Sequence, residues 1–100
     1  MEKLLYVMLI ERGENYRRMT KAVAERHVGN IKKLDDGGLL HLCGITKGLK
    51  GVAGMIILKA ESLEAAEEIC RAEPLVVEGF ATYKLITLKV ADKENNYLLK

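Results

Sequence analysis

The run Leu4-Leu5-Tyr6-Val7-Met8-Leu9-Ile10 is apolar at nearly every position. Seven residues fall far short of the roughly 20 that cross a bilayer. A run this short reads as a β-strand covered on both faces; the alternative, on periodicity alone, is a segment of helix. Such a strand lies inside a sheet, and each face of that sheet needs a cover. Glu11-Arg12-Gly13-Glu14-Asn15 breaks the run.

From about Tyr16 to Asp35 the pattern becomes helical. Met19, Val23, His27, Ile31 and Leu34 step by three or four residues and share one helix face, while Lys21, Glu25, Lys32 and Lys33 fall mostly off it. Gly37-Gly38 supplies the stop. Leu39–Gly44 and Val52–Lys59 predict two strands joined by the Ile45–Gly51 hairpin loop. Ser62 caps a second helix, with Glu64, Glu67 and Glu68 early in it and Leu63, Ala66, Ile69 and Cys70 on its inner stripe. Pro74, the sole proline, ends that helix and can open a further short helical turn through about Gly79. Ala81–Val90 alternates as a fourth strand, and residues 91–100 form a polar tail that is either loose or docked on a partner.

The order β-α-β-β-α-β predicts an α+β, ferredoxin-like domain over residues 1–100, with its core at about 3–90. Its four strands form one antiparallel sheet, and two helices cover one face. The other face is left apolar, so a homodimer with its sheets packed face to face is expected, the dimeric α/β-barrel arrangement.

Counting removes several chemistries. There are 16 basic and 14 acidic residues, so charge gives no reason to expect a nucleic-acid or anionic-membrane partner. Ser62 is the sole serine and sits at a helix cap, which argues against a serine hydrolase. No phosphate-cradling glycine loop is present. Cys43 and Cys70 have neither metal nor redox spacing and suit a reducing cytoplasm. Met1-Glu2-Lys3 precedes an apolar run without a small-residue cleavage site, so no signal peptide is expected. His41 and Cys43 share a strand face, but nothing fixes a third ligand, so neither a metal nor another cofactor is expected.

His27 is the histidine on the apolar stripe of the first helix. Two readings stand open: a core histidine with one hydrogen-bonded partner, or a general acid or base. Asp36 is nine residues on, about half a turn round and roughly 13.5 Å along an unbroken helix, too far to serve it. The two helices run antiparallel, so the end of the second helix lies beside the first half of the first. That brings Glu73 towards His27, where a carboxylate fixes the imidazole tautomer. The alternative for Glu73 is a solvated residue before a proline turn. Lys47, with Gly48, Lys50 and Gly51, makes either an anion-binding loop or a charged, flexible hairpin. Tyr6 packs in a sheet face with its hydroxyl turned to a partner or a pocket.

The segment from Arg26-His27-Val28 through Leu34-Asp35-Asp36-Gly37-Gly38-Leu39-Leu40 to Gly44, followed by Ala60–Glu67 and Ala72-Glu73-Pro74 through Gly79, resembles the YCII-related family of small dimeric α/β proteins. The resemblance covers about residues 3–90 and implies a ferredoxin-like fold and a dimer. It implies a site on a histidine and an aspartate. His27 stands at the histidine, and Glu73 replaces the aspartate of an Asp-Pro motif. Ala24 stands where the family often has arginine, and Gly44-Ile45 where it usually has Gly-Pro. Some relatives act on ring-derived organic acids, dehydrochlorinases among them, and similar dimeric barrels isomerise lactones. The resemblance thus implies a small cofactor-independent isomerase or lyase. His27 and Glu73 would be its catalytic pair, Tyr6, Gly44 and Lys47 would bind, and Lys47 would attract a small organic acid's carboxylate. The alternative is a non-catalytic dimer that binds a small molecule or protein.

Overall fold

Side-chain alternation along the first strand decides what the rest of the chain must cover. The computed structural model describes residues 2–99. Met1, from the expected start, and Lys100, from the expected tail, lie outside the described residues. Strand β1 spans Leu4–Arg12 and is central: it pairs antiparallel with β3 (Val52–Leu58) and with β4 (Ala81–Lys89). Strand β2 (Leu40–Ile45) pairs with β3, so the antiparallel sheet has the order β2-β3-β1-β4.

Tyr6, Met8 and Ile10 of β1 join Ile56 and Leu58 of β3 beneath the helices. There they meet Val23 and Leu34 of α1 (Lys21–Asp36), Ala66 and Cys70 of α2 (Leu63–Ala72), and Leu75 of α3 (Pro74–Val77). The alternate residues Leu5, Val7 and Leu9 point the other way. They pair across the sheet with Leu88, Ile86 and Lys84, and Val7 and Leu9 also with Ile57 and Met55. On that second face Leu42 remains 57% exposed and Ile86 52%. The fold is therefore ferredoxin-like, with helices on one face of the sheet and an apolar second face.

Among the element boundaries that differ from the sequence pattern, two bear on the site and its sheet. The first helix begins at Lys21 rather than Tyr16, because Met19 adopts an extended backbone and Thr20 caps the helix, its Oγ1 accepting from the Val23 N–H. Tyr16–Arg18 forms a separate 3-10 turn. Strand β1 runs on through Glu11 and Arg12, which pair with Thr82 and Ala81 after a register shift against β3. Charge does not end a strand whose backbone partners continue.

Gly38 and Gly79 end α1 and α3 with positive φ, +73° and +80°. Each lets the next residue donate back five positions, Leu39 to Leu34 O and Phe80 to Leu75 O, both at 2.9 Å. The described tail is held by its own chain: Val90 N–H donates to Lys3 O, and the Lys3 ammonium meets Asp92 and Glu94. Among the described residues, no helix is long and apolar enough to cross a membrane.

Candidate active site

The site lies where α1 crosses the short helix α3. Ala72 ends α2, and Glu73 turns the chain into an extended conformation before Pro74 starts α3. The proline suits the first helical position because it has no N–H to lose. Glu73 is the cap residue, and its Oε2 accepts from the Leu75 N–H at 2.6 Å. Its Oε1 meets Nδ1 of His27. Glu73 is 1% exposed, so one buried carboxylate joins a helix cap to an imidazole. With Nδ1 donating to this carboxylate, the neutral ring carries its lone pair on Nε2.

His27 keeps 21% of its side chain exposed and lines a cavity of about 400 Å³ between α1, the 3-10 turn and the sheet. Tyr16 and Met19 line one side, Leu75 and Ile31 another, and Cys43 with Gly44 the β2 side. The lining is largely apolar and, among the described residues, contains no lysine or arginine. Arg12 lies behind Tyr16, its guanidinium 5.6 Å from the ring centroid and one nitrogen donating to Val52 O. It thereby braces the wall without entering the cavity.

The floor is close-packed backbone. A Cβ on Gly54 would sit 2.9 Å from Gly44 O, so β2 and β3 approach here as only glycine permits. Beneath the helices, burial first, then the Glu67 and Glu73 carboxylates, push the Cys70 thiol up to about 12. Cys70 thus stays protonated and packs as a small hydrophobe. Cys43 is half-buried and His41 exposed, and among the described residues no group of three or more His, Cys, Asp or Glu is placed to hold a metal.

Of the five residues singled out from sequence, His27 and Glu73 touch, and Gly44 lines the same cavity. Tyr6 is 4% exposed within the helix-side core and does not line the cavity. Lys47 is exposed in the β2–β3 hairpin, outside the lining. Sequence reasoning missed Tyr16, read there only as a helix start, and Leu75. It also missed Arg26, whose Nε and Nη2 donate to Glu78 Oε2 and Oε1 at 3.0 and 2.6 Å. Those partners are 52 residues apart, and no local pattern announces them.

An α+β domain with a histidine–carboxylate pair over an apolar cavity is thus the class that fold and site define. Residues 4–89 match the YCII-related domain, and the chain belongs to the YCII-related family. No curated protein sequence matches it. Among solved structures it is similar to the 5-chloro-2-hydroxyhydroquinone dehydrochlorinase TftG from Burkholderia phenoliruptrix AC1100 in complex with 2,5-dihydroxybenzoquinone. That similarity has TM-score 0.59 at 13% identity and covers 92% of this chain and 97% of that one. A dimeric ferredoxin-like protein of unknown function from Thermobifida fusca matches with TM-score 0.53 at 11% identity, over 89% and 92% of the two chains. MtbAldR matches with the same score and identity over 89% of this chain and 55% of its own. At these identities the likeness is one of fold.

Proposed function

We propose that this chain is a small enzyme in which His27, oriented by Glu73, moves a proton on a small cyclic substrate. The observation that carries the proposal is the placement of Glu73: a buried carboxylate holds Nδ1 of a histidine that also lines a cavity. Nε2 takes a proton from an acidic C–H or O–H of the bound molecule. It returns that proton to a neighbouring atom in an isomerisation, or the substrate expels a leaving group in an elimination. Side chains alone supply this chemistry, without a cofactor. The dehydrochlorinase neighbour, seen with 2,5-dihydroxybenzoquinone, supports a small ring as the substrate class.

The lining refines the ligand. Among the described residues no lysine or arginine lines it, and Lys47 lies outside the lining, so the group that meets an acidic proton of the substrate is Nε2 of His27. A mostly apolar ring with one acidic group fits better than a di-acid. We further propose that the chain works as a cytoplasmic homodimer, closing its apolar sheet face against a second copy.

Screening chlorinated hydroquinones and small cyclic acids for turnover tests the proposal. His27→Asn and Glu73→Gln are expected to lower kcat/KM by about 10²–10⁴-fold. Unchanged turnover in both variants would overturn it. A second reading is a non-catalytic binding module, favoured by Glu73 also capping α3. On that reading cutting the pair lowers stability while ligand affinity survives.

A further inference from the structure

Two consecutive residues of α1 grip the two ends of α3. His27 meets Glu73, the residue that caps the start of α3, and Arg26 meets Glu78, the residue that caps its end. Helix α3 has four residues, a length that has no stability of its own in water. Its orientation is set by what holds it. Leu75, buried beneath it, anchors its middle, but an apolar contact alone resists rotation poorly. A bidentate guanidinium–carboxylate pair fixes direction as well as distance.

We propose that Arg26 and Glu78 are positioning residues for the site: their ion pair sets the angle of α3, and through it the aim of the Glu73 carboxylate at His27 Nδ1. This role rests on the reading of His27 and Glu73 as the site's pair, while Arg26 and Glu78 hydrogen-bond to each other. It lies at the surface, with the Arg26 side chain 53% and that of Glu78 33% exposed. The paired Arg26 guanidinium holds the Glu78 carboxyl below its ordinary range, as an intact pair requires. An exposed pair adds little to global stability and is screened by salt. That separates positioning from mere support, because variants can move the dyad while the fold stays as stable as before.

The readout is the ring ¹⁵N shifts of His27, followed through their long-range couplings to the ring protons. In Arg26→Ala and in Glu78→Ala the tautomer balance of His27 is expected to move about fivefold away from Nδ1–H, the factor an exposed bidentate pair can give. The charge swap Arg26→Glu with Glu78→Arg is expected to restore it. High salt should shift the wild type in the same direction and leave Glu78→Ala unmoved. Lys3→Ala, which cuts the surface ion pairs of Lys3 with Asp92 and Glu94, serves as the control. The proposal is overturned if His27 in Arg26→Ala matches the wild type, if the swap restores nothing, or if Lys3→Ala produces the same shift. Loss of catalysis by His27 would be seen in turnover and not here, so the two readings fail separately.

Discussion

The two faces of the one sheet are built from alternate residues of the same strands, yet they end in opposite states. On the helix side Tyr6, Met8 and Ile10 vanish beneath α1, α2 and α3, and a polar pair is set into the edge of that packing. On the other side Val7 is buried by its neighbours, while Leu42, Ile86 and Leu88 stay exposed. The finished face holds a buried carboxylate with every oxygen occupied; the unfinished face holds no charged partner on β3 at all. The lesson is that burial capacity in a chain this small is spent on one side. The site sits on that side, and the other side keeps large apolar side chains exposed.

The comparison breaks most sharply at Glu73. Glu73→Ala leaves the Leu75 N–H and His27 Nδ1 without their acceptor and is expected to cost about 2–3 kcal/mol in urea unfolding. Glu73→Gln, which keeps an oxygen for the cap, should cost about half as much. A loss within experimental error in Glu73→Ala would mean that the pair contributes nothing to the fold. Gly54→Ala comes next, because its Cβ would press on the Gly44 carbonyl; about 1–2 kcal/mol is expected from this overpacking.

On the open face the expectation inverts. Leu42→Asp with Ile86→Lys should change unfolding of the isolated chain by no more than about 0.5 kcal/mol each. The same pair should convert a dimer into a monomer in sedimentation. A wild-type chain that sediments as a monomer would remove the cover proposed for this face.

The smallest effect concerns pH. Glu78 is held below the ordinary glutamate value of 4.5 by its hydrogen bonds to Arg26. Its contribution is therefore complete above that value and fades as pH falls through the lower folded value. The stability difference between wild type and Glu78→Gln should stay flat above about pH 4.5 and shrink below it.

The sequence carried the architecture because the architecture is periodic. The Leu4–Ile10 run marked the central strand, Met19 to Leu34 marked the inner face of α1, and Ser62 and Gly37-Gly38 marked helix ends. The expectation that Glu73 lies near His27 also followed from the order of the elements, and in the structure that contact is made at the start of α3, which Glu73 caps. What was not legible was set by distant contacts. Tyr16 lines the cavity because Met19 and Thr20 start the helix late, which the stepping pattern hides. Tyr6 lies inside because β1 is central, and its polar tip gave no warning of that. Lys47 is a charge on a hairpin whose direction depends on how β2 and β3 pair. Arg26 and Glu78 look like ordinary surface charges until the fold places them together.

The central claim is that Glu73 holds the proton side of His27 and leaves Nε2 to the cavity. Ring ¹⁵N spectra of the two histidines, assigned with His41→Ala, test it most directly. Neutral His27 is expected to be the Nδ1–H tautomer, and Glu73→Gln is expected to shift His27 and leave His41 unmoved. A His27 with the same tautomer mixture as His41, indifferent to Glu73→Gln, would contradict it.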